Sequence, residues 1–317
     1  MPVALICGVT GQDGAYLAQH LLGLGYDVHG STRGDPTVPP ANLVALGIAG
    51  KVRMVEMDAV NPLEVRRTLE EIRPDEIYSL TGPSSVAASF HNPQESFQSI
   101  TLGTVNLLDA VRQIVPKARV FLAGSSECFG NTAEPATEQT PFSPRSPYAI
   151  SKISAHWTAN IYREGYGLFV CTGFLFNHES VLRTERYVTQ KVIATACRIA
   201  AGSDEKLRLG NTMIARDWGW APEYVEAMWR MLQRDRPEDY IIATGQTHTL
   251  DEFVARTFAA LGLDAAAHVE TDPALLRPTD IVVSHGNPAK ARRSLGWQAT
   301  HALDGIIGEM IAARRGV

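Results

Sequence analysis

Short apolar runs alternate with amphipathic segments along the first half of the chain. Residues 15–24, 62–72 and 104–113 carry apolar side chains at helical spacing and are predicted as helices. Strands alternating with amphipathic helices are typical of a parallel, doubly wound α/β sheet, the Rossmann type. The predicted strands are residues 4–7, 27–31, 52–56, 76–80, 120–124 and 169–175.

The alternation weakens after residue 175, and the second half predicts a different arrangement. We interpret it as a smaller lobe that caps the carboxyl edge of the sheet and is partly interleaved with it. The predicted domains are therefore residues 1–175 and 176–317. Predicted helices are 187–201, 222–232, 250–261 and two terminal ones, and predicted strands are 206–209 and 240–243.

Composition excludes several functional classes. The 317 residues are 45% hydrophobic and carry a net charge of −5 without any basic run, which argues against nucleic-acid binding. No apolar stretch is long enough to span a bilayer, so we expect no membrane partner. The four cysteines are scattered without a Cys or His cluster, which predicts reduced thiols in the cytoplasm and no metal site.

Gly8, Gly11 and Gly14 lie between the first predicted strand and the first predicted helix. Glycines in this context let the backbone approach a pyrophosphate, and the helix N-terminus supplies unpaired N–H groups. The motif predicts dinucleotide binding. A glycine-rich turn that only packs the helix on the strand is the alternative.

The ends of the second, third and fourth strands offer further candidates. Arg33 favours the 2′-phosphate of NADP, although Asp35 leaves NAD possible and Arg33 could be a solvated loop cation. Asp58 is placed either to meet an adenine edge or to cap the next helix. Ser84 or Ser85 could contact substrate, or either could be a turn hydroxyl.

Residues 120–152 carry the strongest chemical pattern. Ser125, Ser126 and Glu127 follow a buried strand, and Tyr148 and Lys152 lie four positions apart on a predicted helix. We expect the lysine to lower the pKa of the phenol by favouring its charged form. The arrangement suits proton transfer during oxidation of a carbinol or reduction of a ketone.

Three cations in the second half lie near ends of predicted elements: Lys191, Arg216 and Arg277. Together they suit a diphosphate, because a guanidinium binds phosphate oxygens in a bidentate manner. A surface salt bridge is the alternative for each of them.

Several long segments resemble one family. They include GVTGQDGAYLAQHLL at residues 8–22, PFSPRSPYAISK at 141–152, LFNHES at 175–180 and RDWGWAPEYVEAMWRMLQ at 216–233. The chain resembles the extended short-chain dehydrogenase/reductase superfamily and, within it, the GDP-mannose 4,6-dehydratase family. The match runs nearly end to end.

The resemblance implies a reaction and roles. Such enzymes use bound NADP to oxidise a sugar at C4, eliminate water across C5–C6 and return hydride to C6. By position, Ser125 holds the 4-oxygen, Tyr148 is the base, Lys152 binds the nicotinamide ribose, and Glu127 is the acid/base at C5. Expected cofactor positions are Gly8, Thr10, Gly11, Gln12, Asp13, Gly14, Arg33, Asp58, Ala59, Leu80, Tyr148, Lys152, His178 and Arg183; expected substrate positions are Ser84, Ser85, Ser126, Asn177, Lys191, Arg216, Arg277 and Asp280.

Departures from the family leave alternatives open. The family's loop of two arginines and several serines after the second strand helps build a tetramer around the cofactor, and here residues 33–40 read RGDPTVPP. Because this loop differs from the family's, the sequence does not decide between the two assemblies, and we expect either a homodimer or a homotetramer. The alternatives to a GDP-mannose dehydratase are a GDP-4-keto-6-deoxy-sugar reductase or epimerase, a dehydratase of another GDP-sugar such as a GDP-heptose, and a non-catalytic sensor.

Overall fold

A parallel sheet of seven strands organises the fold, seen in a computed structural model that describes residues 1–276 and 279–316. Arg277, an expected substrate position, lies outside the described residues. The strands are β1 (Val3–Cys7), β2 (Asp27–Thr32), β3 (Arg53–Glu56), β4 (Glu76–Ser79), β5 (Arg119–Ser125), β6 (Val170–Leu175), β7 (Asn177–Glu179), β8 (Leu207–Leu209), β9 (Ala215–Arg216), β10 (Trp218–Trp220), β11 (Tyr240–Ile242), β12 (His248–Thr249), β13 (Val269–Thr271) and β14 (Val283–Ser284).

The sheet has the order β11-β6-β5-β4-β1-β2-β3, and all neighbouring pairs are parallel. The predicted doubly wound α/β class is thus confirmed. On one side of β1 the sheet continues with β2 and β3, and on the other side it continues with β4, β5, β6 and β11. In such sheets, ligands bind where the strand order reverses, outside the carboxyl ends of the strands. The edge strand β11 comes from the second half of the chain, so the two halves share one sheet.

Helices cover both faces of the sheet. The buried faces of α1 and α9 pack on one side, and those of α3, α6 and α7 pack on the other. The helices are α1 (Gln12–Gly23), α2 (Ala41–Ala45), α3 (Pro62–Ile72), α4 (Val86–His91), α5 (Pro93–Ser96), α6 (Gly103–Ile114), α7 (Pro147–Tyr166), α8 (Val188–Ala200), α9 (Ala221–Leu232), α10 (Leu250–Ala260), α11 (Ala289–Leu295) and α12 (Leu303–Arg315).

Local sequence explains where α7 begins and ends. The Ser146 side chain accepts a hydrogen bond from Ala149 N at 3.1 Å, and Pro147 occupies the first turn, where its missing N–H costs nothing. Gly167 ends the helix at φ 70°, in the left-handed region that glycine adopts easily. This start places Tyr148 in the first turn of α7, against the end of β5.

The second half also has a core of its own. Val192, Phe253 and Ile307 represent the apolar cluster that α8, α10 and α12 form together. This half of the chain also forms three small sheets: β7 with β10, β12 with β9 and β14, and β8 with β13. Among residues 1–276 and 279–316, no helix has the length and apolarity needed to cross a bilayer.

Candidate active site

The glycine-rich turn shapes the start of the cleft. Gly8 has φ +90°, and a Cβ there would lie 3.1 Å from the Leu80 carbonyl oxygen. A Cβ at Gly14 would lie 2.4 Å from Gly8 O, so α1 can pack this closely on β1 only with glycine. Gly14 therefore serves to pack the helix on the strand, which was the alternative interpretation of the glycine-rich motif. Gly8 and Gly11 face the cleft, where the first N–H groups of α1 lack intrahelical acceptors.

A cavity of about 560 Å³ lies along the carboxyl ends of β1, β2, β3 and β4. Its size is in the range of small-molecule and cofactor sites. It brings together most of the expected cofactor positions on these strands. The lining residues are Gly8, Thr10, Gly11, Ser31, Thr32, Arg33, Gly34, Met57, Asp58, Ala59, Leu80, Thr81, Gly82, Pro83, Glu95, Ser99 and Arg186.

The acidic candidates near this cavity differ in their local contacts. Asp58 lines the cavity, and its Oδ1 accepts from Val60 N at 3.0 Å. Asn61 caps α3 through Leu63 N, so the helix-cap interpretation of Asp58 was wrong. Asp35 accepts from the backbone and hydroxyl of Thr37, at 2.8 and 2.7 Å, which occupies one carboxylate oxygen in its own turn.

A second cavity of about 150 Å³ contains the catalytic candidates Ser125, Glu127, Tyr148 and Lys152. Leu80 and Gly82 line both cavities, so the two form one continuous groove. Ser125 hydrogen-bonds the Tyr148 hydroxyl. Its Oγ also accepts from Glu127 N at 3.2 Å, because Ser126–Cys128 forms a 3₁₀ turn directly after β5. The remaining expected residues in this lining are Asp13, Ser84, Ser126, Asn177, His178 and Arg183.

The expected lowering of the Tyr148 pKa was wrong. Burial raises the pKa of Tyr148 well above its usual value, although the hydrogen bond from Ser125 opposes the rise. Burial also lowers the pKa of Lys152 to about 8. The ammonium donates to Ala123 O at 2.7 Å instead of to the phenol. Four-residue spacing puts two side chains on one helical face but does not determine which acceptor the lysine finds.

An ion pair joins the glycine-rich helix to the second half of the chain. His178 Nε2 lies 3.0 Å from both carboxylate oxygens of Asp13, and Nδ1 donates to Phe176 O at 2.7 Å. Burial alone would raise the pKa of Asp13, but the charge of His178 and the hydrogen bonds from His178 and Gln12 together outweigh it and bring the pKa to about 2. For His178, burial opposes charging and Asp13 favours it, so its pKa is raised. Gln12 strengthens the junction by accepting from Ser180 Oγ at 2.8 Å.

We expect this pair to make stability depend on pH. The lowered pKa of Asp13 contributes stability above pH 3.8 that is lost as pH falls through about 2. The raised pKa of His178 contributes stability below 6.5 that is lost as pH rises through its folded value. Urea unfolding should show wild type more stable than Asp13→Asn by roughly 1–3 kcal/mol between about pH 4 and 6.5. The difference should shrink at pH 2.5 and at pH 9.

Exposed Asp204 provides the control for this measurement. Asp204→Asn should leave the unfolding free energy unchanged at every pH. A difference between Asp13→Asn and wild type that stays constant from pH 2.5 to pH 9 would contradict the ion-pair account.

The expected substrate positions do not all reach the small cavity. Ser85 caps α4 through Ala88 N at 3.2 Å, the turn role that was its alternative. Lys191 Nζ donates to Arg208 O at 2.7 Å, and Arg216 Nη2 lies 3.3 Å from Asp280 Oδ1. Among the described residues that line the small cavity, Ser85, Lys191, Arg216 and Asp280 do not occur. Arg216 and Asp280 form a partly buried ion pair in the second lobe, whereas the alternative for Arg216 was a surface salt bridge.

Several groove residues were missed by sequence reasoning. Glu95, Ser99 and Arg186 line the large cavity, and the Tyr187 hydroxyl lies 2.6 Å from Ser84 Oγ, a residue of the small cavity. They lie in short helical turns or in the loop before α8, far from the motifs along the chain, and carry no local pattern that could have identified them.

Comparison with known proteins identifies the family. A family model described as GDP-mannose 4,6 dehydratase matches residues 5–310. The chain belongs to the GDP-mannose 4,6-dehydratase family. A curated family member, GDP-mannose 4,6 dehydratase 2 of Arabidopsis thaliana, is 42% identical over 319 residues, covering 98% of this chain and 86% of the relative. The Caenorhabditis elegans GDP-mannose 4,6 dehydratase 2 is 39% identical over 337 residues, covering 98% and 88%.

A solved structure shares the fold of this GDP-mannose 4,6-dehydratase family member. UDP-glucose 4-epimerase of Thermus thermophilus, solved as a complex with NAD, superposes with a TM-score of 0.85. The two proteins are 25% identical, and the superposition covers 99% of each chain.

Proposed function

We propose that the protein is a GDP-mannose 4,6-dehydratase that converts GDP-mannose to a GDP-4-keto-6-deoxy-hexose. The observation that carries the proposal is the convergence of Ser125, Glu127, Tyr148 and Lys152 on one small cavity. That cavity is continuous with a groove beside the glycine-rich turn. Family membership supports the same activity.

The groove fits a nicotinamide dinucleotide. Gly8 and Gly11 leave the backbone open to a diphosphate, and the start of α1 supplies N–H donors there. The neighbouring epimerase was solved with NAD, which supports a cofactor of this class here. Such a cofactor, when bound, would supply hydride chemistry at C4 and C6 of the sugar without net consumption.

Tyr148 and Ser125 handle the proton of the C4 hydroxyl. Ser125 Oγ and the phenol are hydrogen-bonded neighbours, so both can contact one sugar oxygen. As hydride leaves C4, the tyrosinate takes the hydroxyl proton and a ketone forms. The phenol must first lose its proton to solvent. The positive charge of the Lys152 ammonium in the same cavity favours that ionisation, against the effect of burial.

Glu127 acts once the ketone has formed. The ketone makes the C5 proton acidic, and the Glu127 carboxylate, which lines the same cavity as Tyr148, removes it. The resulting carboxylic acid gives that proton to the C6 hydroxyl, which departs as water. Glu127 then takes up a proton from solvent and delivers it to C5 after hydride returns to C6. Tyr148 releases the proton of the C4 hydroxyl to solvent, so atoms and charge balance over the cycle.

We place the GDP portion in the lobe formed by residues 176–317. Asn177 lines the small cavity where β7 begins, and it can hydrogen-bond the substrate diphosphate. Lys191, Arg216, Arg277 and Asp280 are family nucleotide-sugar positions, and we assign them to the nucleotide. The Arg216–Asp280 pair and the Lys191 contact with Arg208 O then hold these side chains ready for it.

We propose NADP as the preferred cofactor, because Arg33 lines the large cavity at the end of β2 whereas Asp35 is engaged in its own turn. Arg33→Ser should weaken NADP⁺ binding about 10- to 100-fold, the scale of a lost charge-assisted hydrogen bond. NAD⁺ binding should change little. Isothermal titration with both cofactors measures this. Equal loss for NADP⁺ and NAD⁺ would contradict a role at the 2′-phosphate.

The activity is tested by incubating the protein with GDP-mannose and following the absorbance of 4-keto sugars in alkali. A dehydratase forms this product without added NADPH. NADPH oxidation with a GDP-4-keto-6-deoxy sugar, and no product from GDP-mannose, would instead show a reductase. If product forms only from a GDP-heptose, the substrate is a GDP-heptose and not GDP-mannose. No turnover with any of them would leave only a binding protein.

We propose a homodimer on the basis of an exposed apolar face. Ile150, Trp157 and Ile161 repeat at helical spacing on α7, and Trp157 is 56% exposed. Phe97 and Leu102 add exposed apolar surface on the π-helical turn that packs beside α7. Light scattering should give twice the chain mass, and a monomer at micromolar concentration would contradict it. We place the enzyme in the cytoplasm, where its unpaired cysteines stay reduced.

A further inference from the structure

One short segment, residues 178–187, borders both cavities of the groove. It starts at His178 and Ser180, which bind Asp13 and Gln12 at the start of α1. It ends at Tyr187, whose hydroxyl lies 2.6 Å from Ser84 Oγ in the loop after β4. The segment is therefore held at both ends, once by the glycine-rich helix and once by the neighbouring strand's loop.

Tyr187 organises two guanidinium groups on this segment. Its ring lies 3.7 Å from Arg183 Cζ and 5.1 Å from Arg186 Cζ, measured to the ring centre. Arg186 Nη2 also donates to the Tyr187 oxygen at 3.2 Å. Both arginines are thus held against one aromatic side chain.

The two guanidiniums belong to different parts of the groove. Arg183 lines the small cavity with the catalytic candidates, and Arg186 lines the large cavity with Gly8 and Gly11. Because Leu80 and Gly82 line both cavities, one extended ligand can occupy both. Tyr187 therefore lies beside the junction, where the middle of such a ligand passes.

Charge balance shows why Arg186 matters. The charged residues that line the large cavity are Arg33, Arg186, Asp58 and Glu95. Without Arg186, two carboxylates and one guanidinium would face a ligand that itself carries several negative charges. One planar guanidinium with several N–H donors compensates this and suits phosphate oxygens.

We propose that Arg186 binds the diphosphate of the dinucleotide cofactor and that Tyr187, held by Ser84, positions it. The inference rests on the proposed binding of a nicotinamide dinucleotide in this groove. It assigns the 2′-phosphate and the diphosphate to different arginines, Arg33 and Arg186. The two assignments predict different responses to NAD⁺, which lacks the 2′-phosphate.

Cofactor titrations test this assignment without any turnover. Arg186→Gln should raise the dissociation constants of NADP⁺ and NAD⁺ alike, by about 10- to 100-fold. The salt dependence of binding should also become weaker, since one charge contact is gone. Arg186→Lys should restore part of the affinity. Tyr187→Phe keeps the ring and loses the hydroxyl contacts with Ser84 and Arg186, and a smaller loss of about 3- to 10-fold is expected.

Matched variants separate the possible failures. Arg292→Gln changes an exposed arginine on α11 and should leave both dissociation constants unchanged. Thermal unfolding of the ligand-free variants should match wild type, which excludes loss of fold as the cause. If wild type binds neither dinucleotide, the proposed function itself fails. If wild type binds and Arg186→Gln binds equally well at low and high salt, the role of Arg186 is overturned while the proposed function stands.

Discussion

Tyr148→Phe is expected to lower kcat by about 10²- to 10⁴-fold, the contribution typical of a positioned acid or base. The substitution removes only the hydroxyl oxygen that Ser125 hydrogen-bonds, so the buried ring keeps its packing in the first turn of α7. Without the phenol, no group at this position can take the C4 hydroxyl proton. Formation of the 4-keto product from GDP-mannose measures the loss.

Binding measurements distinguish this chemical loss from a structural one. The dissociation constant of NADP⁺ should stay within about twofold of wild type, because the substitution keeps the ring beside the cofactor and removes only the hydroxyl that acts on the sugar oxygen. Tyr162→Phe is the matched control, since it removes a phenol oxygen further along α7. Wild-type turnover in Tyr148→Phe would exclude the proposed base.

Glu127→Gln should lower product formation by about 10²- to 10⁴-fold, through a different step. The amide preserves the size of the side chain beside Ser125 but cannot accept the C5 proton. In D₂O, wild type should deliver deuterium to C5 of the product, since Glu127 exchanges its proton with solvent. The variant should release almost no such product. Mass spectrometry and proton NMR of the sugar nucleotide measure both effects.

Two comparisons make this result specific to Glu127. Glu134→Gln changes an exposed carboxylate in the loop that follows and should leave the rate and the deuterium content unchanged. Glu127→Asp retains a base on a shorter side chain and should recover part of the activity. Fast C5 deuteration by Glu127→Gln would assign the proton transfer to another group.

Together the two variants divide the reaction. Tyr148→Phe should block oxidation at C4, so no later step can proceed. Glu127→Gln should allow the ketone to form in the site but stop elimination of water. A reductase has no elimination step, so the C5 deuterium readout also separates the proposed lyase from that alternative.

Local patterns determined much of the fold and part of the site. The alternation of strands and helices predicted the parallel sheet, and its strands lie within one or two residues of the predicted bounds. The strand, glycine and helix order predicted the turn at Gly8 and Gly11. These features depend on periodicity and backbone freedom over a few residues, so they can be recognised before the chain is folded.

Only the tertiary structure decided which distant groups meet. The contact of Ser84 with Tyr187 and the pair of Asp13 with His178 join residues more than one hundred positions apart. Burial decided the direction of the Tyr148 pKa, against the expectation from its spacing to Lys152. Sequence spacing determines which side chains share a helical face, whereas desolvation and long-range partners depend on how the whole chain packs around them.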